Sequence, residues 1–391
     1  MAGFKQSIRK KEYTKKGVFM SVYKDRIRRV AEELKKRQLA VFMFEDTEGR
    51  RNPSIRYLTG HPSDALLFVA ADGRNTLVPW DINMAHAMAT ADEILPYTDF
   101  GRSVPDTINA MSKHWNLPEG AVIGLTSATP YPLFVSYMER CDGYDFSCTD
   151  DGIDEFVAGM RAIKDNEEIA LYRKVSAITD SIMDAIEARV RAGEFKTETD
   201  VALFIERALR EAGCEATGFD TIAAGPSRSF GIHAFPSYSA APFATDGFSI
   251  LDFGVVYQGY TSDVTMTFVR GALTDKQKKM LELVQKAYDE AVAMCRPGLQ
   301  AKEPGKHVDA LFKEAGFTMP HSLGHGVGLE AHEMPIMRSR EDNTWELKPG
   351  QIITIEPGLY DPEAGGVRLE NDVLITENGH EVLTHSRIVM L

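Results

Sequence analysis

From about Gly159 onward the chain presents one order of elements twice, and this constrains its fold more than any other feature. Asp165 or Asn166 can cap a long helix that runs to about Arg191 and ends near Gly193. A shorter helix, Thr199 to Ala212, stops at Gly213, and strand-like segments follow through Arg270. Thr274 and Gln277 then stand at the spacing of a capping box and open a second long helix to Cys295, stopped by Pro297 and Gly298. A second short helix from about Lys306 stops at Gly316, and strands dominate to the end. The short helices even finish alike, Ala208-Leu209-Arg210-Glu211-Ala212-Gly213 against Ala310-Leu311-Phe312-Lys313-Glu314-Ala315-Gly316, with one inserted residue. Each half is long helix, short helix, sheet. Since each sheet has to bury an apolar face, two such halves are expected to join their sheets, carry helices outside and leave a cleft between them.

At 391 residues the chain is too long for one ordinary core. Residues 18–150 read as an N-terminal α/β domain: helices near 23–37, 105–115 and 131–140, and strand-like runs at 39–44, 54–59, 65–71, 75–79 and 121–125. This region has neither a G-x-G-x-x-G nor a Walker pattern, so it reads as a support or lid. The acidic stretch Asp150–Glu155 reads as the linker to an α+β domain over 151–391. Ahead of both, Lys5, Arg9, Lys10, Lys11, Lys15 and Lys16 form a basic arm over residues 1–17, with no apolar stretch of the kind a secretory signal needs. A net charge of −13 argues against nucleic acid and anionic membranes as partners, because both are themselves negative. No apolar run is long enough to span a membrane. Cys141, Cys148, Cys214 and Cys295 lack metal-site spacing and fit free thiols, so a cytoplasmic setting is expected.

Acids then fall where an apolar core should be. Asp252 interrupts the buried-strand run Ser249–Val256, and Asp263 follows the turn Tyr257-Gln258-Gly259-Tyr260. A two-residue turn at Gln258-Gly259 makes the two aspartates diagonal neighbours on one face of a hairpin. Two unpaired carboxylates on one buried face repel and lose solvation, and a divalent cation removes both penalties. Glu356 ends the β-branched strand Ile352–Ile355. Residues 366–375 alternate, with Arg368, Glu370 and Asp372 on one face, and an Arg368–Glu370 ion pair is a plausible structural use of that face.

Three of the chain's 10 histidines, His321, His325 and His332, fall in one short stretch with Gly324, Gly326 and Gly328, a spacing that lets the backbone approach a ligand. His233 lies in a Gly/Pro/Ser-rich loop ahead of Asp252. Two aspartates, two glutamates and one histidine, with no cysteine, make an oxygen-rich set suited to manganese and tolerant of cobalt, iron or zinc. Four carboxylates can neutralise two divalent ions, held about 3.5–4 Å apart by shared carboxylates around a bridging hydroxide.

These stretches resemble the pita-bread metallopeptidases, in the proline-specific branch of Xaa-Pro aminopeptidases and Xaa-Pro dipeptidases (prolidases). The resemblance rests on Ile250–Gly254, Gly259–Asp263, His321–Glu333, Ile355–Gly358 and Val367–Asn371, and covers residues 160–391 closely. It implies a creatinase-like N-terminal domain and a pseudo-twofold pita-bread catalytic domain. The metal ligands it implies are Asp252, Asp263, His325, Glu356 and Glu370, with Asp263 and Glu370 bridging two ions and Glu356 also moving a proton. It gives His233, His321 and His332 the task of positioning substrate and stabilising the tetrahedral intermediate, and Arg368 an electrostatic one. It further implies a short proline-containing peptide as substrate and a homodimer. Departures from the family pattern are Met266 between Thr265 and Thr267, Ala331 before His332, and Ser227 and Ile232 before His233; all are expected near substrate. They leave two other readings to weigh: the same metal site acting on a non-peptide amide or osmolyte, and a non-enzymatic binding module.

Overall fold

The structure is a computed structural model and describes residues 22–391; the basic arm lies outside the described residues. Two compact units divide between Met160 and Arg161.

The first unit carries a six-stranded mixed sheet in the order Glu93–Ile94, Asn75–Pro79, Ala65–Ala70, Val41–Asp46, Ala121–Leu125, Tyr144–Ser147. Helices 22–36, Val104–His114 and Tyr131–Arg140 form where their patterning places them. One expectation fails: Pro53–Thr59 is a helix rather than a strand. Asn52 accepts from the Ser54 N–H at 3.0 Å, Pro53 opens the first turn, and Gly60 closes the helix in the left-handed region at φ 81°. Terminal chemistry thus outweighs the strand-like composition. The acidic stretch read as a linker is folded as well. The helix Ile153–Ala162 begins within it, and Asp154 accepts from the Ser127 N–H at 2.9 Å and hydroxyl at 2.6 Å.

In the second unit both halves appear. The first has helices Asn166–Arg191 and Glu198–Glu211, the second Asp275–Met294 and Lys302–Glu314. Asp165, Thr197 and Thr274 each cap a helix in a capping box. The last helix starts a turn before its expected start, because Pro304 in the first turn lacks only an N–H that a helix leaves unpaired there. The first pair of helices packs in one hydrophobic cluster around Val175, Ile186, Ile205 and Leu251, the second in another around Val284, Phe312, Ile353 and Val373.

A four-stranded sheet runs Ile388–Met390, Val264–Arg270, Gly247–Phe253, Ile222–Ala224. A five-stranded sheet runs Glu333–Ile336, His325–Gly326, Ile352–Ile355, Asn371–Thr376, Gly379–Val382. They meet where the Glu370 N–H donates to the Thr265 carbonyl at 3.3 Å. The alternating segment expected as one strand is two, Gly365–Arg368 and Asn371–Thr376. At the break Leu369 enters the second hydrophobic cluster and Glu370 faces the first half.

Candidate metal centre

The hairpin register is the one a two-residue turn dictates: Tyr257 pairs with Tyr260 and Asp252 with Thr265. Gln258 and Gly259 take φ of 50° and 89°, the positive pair that matches the twist of flanking strands. Asp252 is buried one residue before the end of its strand, and Asp263 is buried just before the next. His325 comes from the short strand His325–Gly326, Glu356 follows Ile352–Ile355, and Glu370 sits at the strand break. All five line one cavity of about 490 Å³, together with His233, His321, His332 and Arg368. The nine residues singled out in the sequence are therefore brought together.

Asp263, His325 and Glu370 each present a ligand atom within 4.8 Å of the others. His325 Nε2 stands 3.7 Å from Asp263 Oδ2 and 3.3 Å from Glu356 Oε1. Its Nδ1 lies 3.0 Å from the Gly326 carbonyl, to which it donates, so Nε2 is the nitrogen that faces the acids.

Electrostatics point the same way. Burial, reinforced by neighbouring carboxylates, pushes the Asp263 and Glu370 carboxyls well above the usual range. Asp252 is raised by burial too, although Arg368 opposes the shift. Burial also works against the Glu356 carboxylate, but the His325 hydrogen bond and nearby positive charge prevail and hold it at about 2. Desolvation likewise disfavours charged His325, yet its bond to Glu356 wins and raises it. Asp252 Oδ1 is buried with no hydrogen-bond partner. A cluster of crowded oxygen donors, one orphaned, with one imidazole and no thiolate, fits a divalent cation.

Arg368 is 2% exposed and organises this wall. Its Nη2 donates to Asp252 Oδ2 at 2.6 Å and its Nε to the Thr265 hydroxyl at 2.9 Å, and Thr265 in turn donates to Glu370 Oε2 at 2.6 Å. The ion pair considered between Arg368 and Glu370 is thus an Arg368–Asp252 pair, with Thr265 relaying to Glu370. Arg368 Nη1 donates to the Tyr360 hydroxyl at 2.7 Å, leaving that proton for His321 Nε2 at 3.0 Å. His321 Nδ1 donates to the Ser322 carbonyl at 2.8 Å, so both its nitrogens are engaged within the protein. The His332 ring rests 4.1 Å from that of His325, and His233 is exposed at the cavity wall.

Several supporting residues escape sequence reasoning. Thr265 and Tyr360 carry no pattern of their own. Asp372 was visible only as a member of the alternating face; it is fully buried, accepts from the Asp263 N–H at 3.3 Å, and burial raises it to about 8. The glycines of the histidine stretch give room to neighbouring backbone: a Cβ on Gly324 would stand 2.0 Å from the Thr354 carbonyl oxygen, and one on Gly326 2.1 Å from that of Met334, while Gly324 also lines the cavity. One expectation needs correction. Of the departures from the family pattern only Ile232 lines the cavity; Met266 is buried in the first hydrophobic cluster.

Residues 170–377 match the model of metallopeptidase family M24, and residues 26–163 match the creatinase/prolidase N-terminal domain. The Xaa-Pro dipeptidase of Pyrococcus furiosus is 33% identical over 363 residues, covering 90% of this chain and 98% of that protein. The Xaa-Pro dipeptidase of Pyrococcus horikoshii is 31% identical over 371 residues, covering 93% and 98%. The solved Xaa-Pro dipeptidase of Bacillus anthracis superposes with a TM-score of 0.81 at 26% identity, covering 94% of this chain and 100% of that one. On fold, site and likeness together, the chain belongs to metallopeptidase family M24, in the proline-specific branch that carries a creatinase/prolidase N-terminal domain.

Proposed function

We propose that this chain is a dinuclear-metal hydrolase that cleaves the amide bond before proline at the N-terminus of short peptides. The supporting observation is the convergence of Asp252, Asp263, His325, Glu356 and Glu370 on one cavity, in a chain similar to proteins named Xaa-Pro dipeptidases. Those five residues would hold two divalent cations, with manganese favoured by the oxygen-rich set. Bound there, the cations would supply an activated water and a Lewis acid for the scissile carbonyl.

The rest falls to the protein. Glu356 takes the proton of the attacking water on a carboxylate oxygen and delivers it to the leaving proline nitrogen. Arg368 fixes Asp252 directly and Glu370 through Thr265, so the acids keep one geometry throughout. His332 and His233 face the peptide and stabilise charge developing on the carbonyl oxygen. His321, held by Tyr360 and Ser322, braces the wall beside Glu356. Ile222, Ile232, Ala234 and Ile336 supply apolar surface for the proline ring. Hydrolysis of Xaa-Pro and Xaa-Pro-Xaa peptides by protein loaded with manganese, cobalt or zinc tests the proposal. Turnover with proline, and its loss when alanine replaces proline in the peptide, is expected; no turnover with any of the three metals contradicts it.

A further inference from the structure

Five carboxylates line the cavity: the four acids above and Asp220, which is exposed at its wall. Asp220 Oδ2 accepts from the Ser237 hydroxyl at 2.5 Å, which leaves Oδ1 for another donor. Against them, among the described residues, the lining holds one permanent cation, Arg368, and four of its five N–H groups are taken by Thr265, Tyr360, Asp252 and the Ile232 carbonyl. Phe219, Ile222 and Ile336 add apolar surface to the same lining. Cations gathered by the four inner acids offset those acids and add no basic side chain to the wall. A group entering with negative charge would therefore lose its water and meet, among the described residues, only an Arg368 already paired with Asp252, a large penalty in a desolvated site. A group entering with positive charge would meet Asp220.

We propose that Asp220 is a specificity-determining residue that takes an ammonium group of the substrate, and that the cavity rejects a free carboxylate on the residue after the scissile bond. Substrates are then peptides continuing beyond proline, or dipeptides with a neutral C-terminus, rather than free Xaa-Pro dipeptides. This rests on the reading of the site as a proline-specific peptidase.

The test compares Ala-Pro, Ala-Pro amide and Ala-Pro-Ala on the full-length, manganese-loaded enzyme. The amide and the tripeptide are expected to exceed the free dipeptide by about tenfold or more in kcat/KM. Asp220→Asn should raise KM for the tripeptide by about tenfold with kcat unchanged, and Asp220→Glu should restore much of it. Ile336 sits across the strand pair from His325, so Ile336→Lys places a cation on the apolar wall and should raise turnover of Ala-Pro relative to its amide. Ala-Pro cleaved as fast as its amide, or an Asp220→Asn enzyme with unchanged KM, overturns this inference and leaves the peptidase reading intact. Failure to cleave any of the three overturns both.

Discussion

Thr265 joins the two halves through both its side chain and its backbone. Its hydroxyl accepts from Arg368 and donates to Glu370, while its carbonyl takes the Glu370 N–H. Glu370 is thereby fixed at side chain and backbone from across the pseudo-repeat, whereas His332 is exposed and leans on His325. Their alanine variants should differ accordingly. Glu370→Ala should abolish metal retention and activity together, while His332→Ala should keep the metal and lower kcat by about 10²-fold. Metal content by elemental analysis, alongside peptide turnover, checks this, and a His332→Ala protein without metal contradicts the assignment. The acids were legible because a carboxylate in a buried strand has few explanations. Thr265 and Tyr360 were not, because hydroxyl residues are common in strands and only the fold reveals what they touch.

Among elements, the histidine stretch is the most constrained. Gly324 and Gly326 let neighbouring backbone pass where a methyl group cannot fit. Gly324→Ala should therefore cost about 1–3 kcal/mol. Gly379→Ala, where an added Cβ meets nothing within 4 Å, should stay within about 0.5 kcal/mol. Denaturant midpoints of the two variants decide the matter, and equal midpoints contradict the packing account. Hairpin register was legible because a two-residue turn leaves a single pairing. The helix Pro53–Thr59 was misread because seven residues are too few for periodicity to outweigh composition. The break at Leu369–Glu370 was hidden because alternation continues across it, and only the change of strand partners from Gly358–Asp361 to Ile352–Ile355 reveals it.

At the scale of the whole chain, repetition was the readable feature. Caps at Asp165 and Thr274 mark the halves without any knowledge of contacts, whereas the Thr197 cap emerged only with the fold. What repetition does not encode is where the sheets touch, and the acids converge at that junction through Thr265 and Glu370. The N-terminal unit was legible as α/β from its alternating elements, with its order of strands settled only by pairing. Anomalous diffraction from manganese-soaked crystals tests the centre most directly. The account predicts two peaks about 3.5–4 Å apart, enclosed by Asp252, Asp263, His325, Glu356 and Glu370. Manganese bound elsewhere, or no peak among those five side chains, would contradict it.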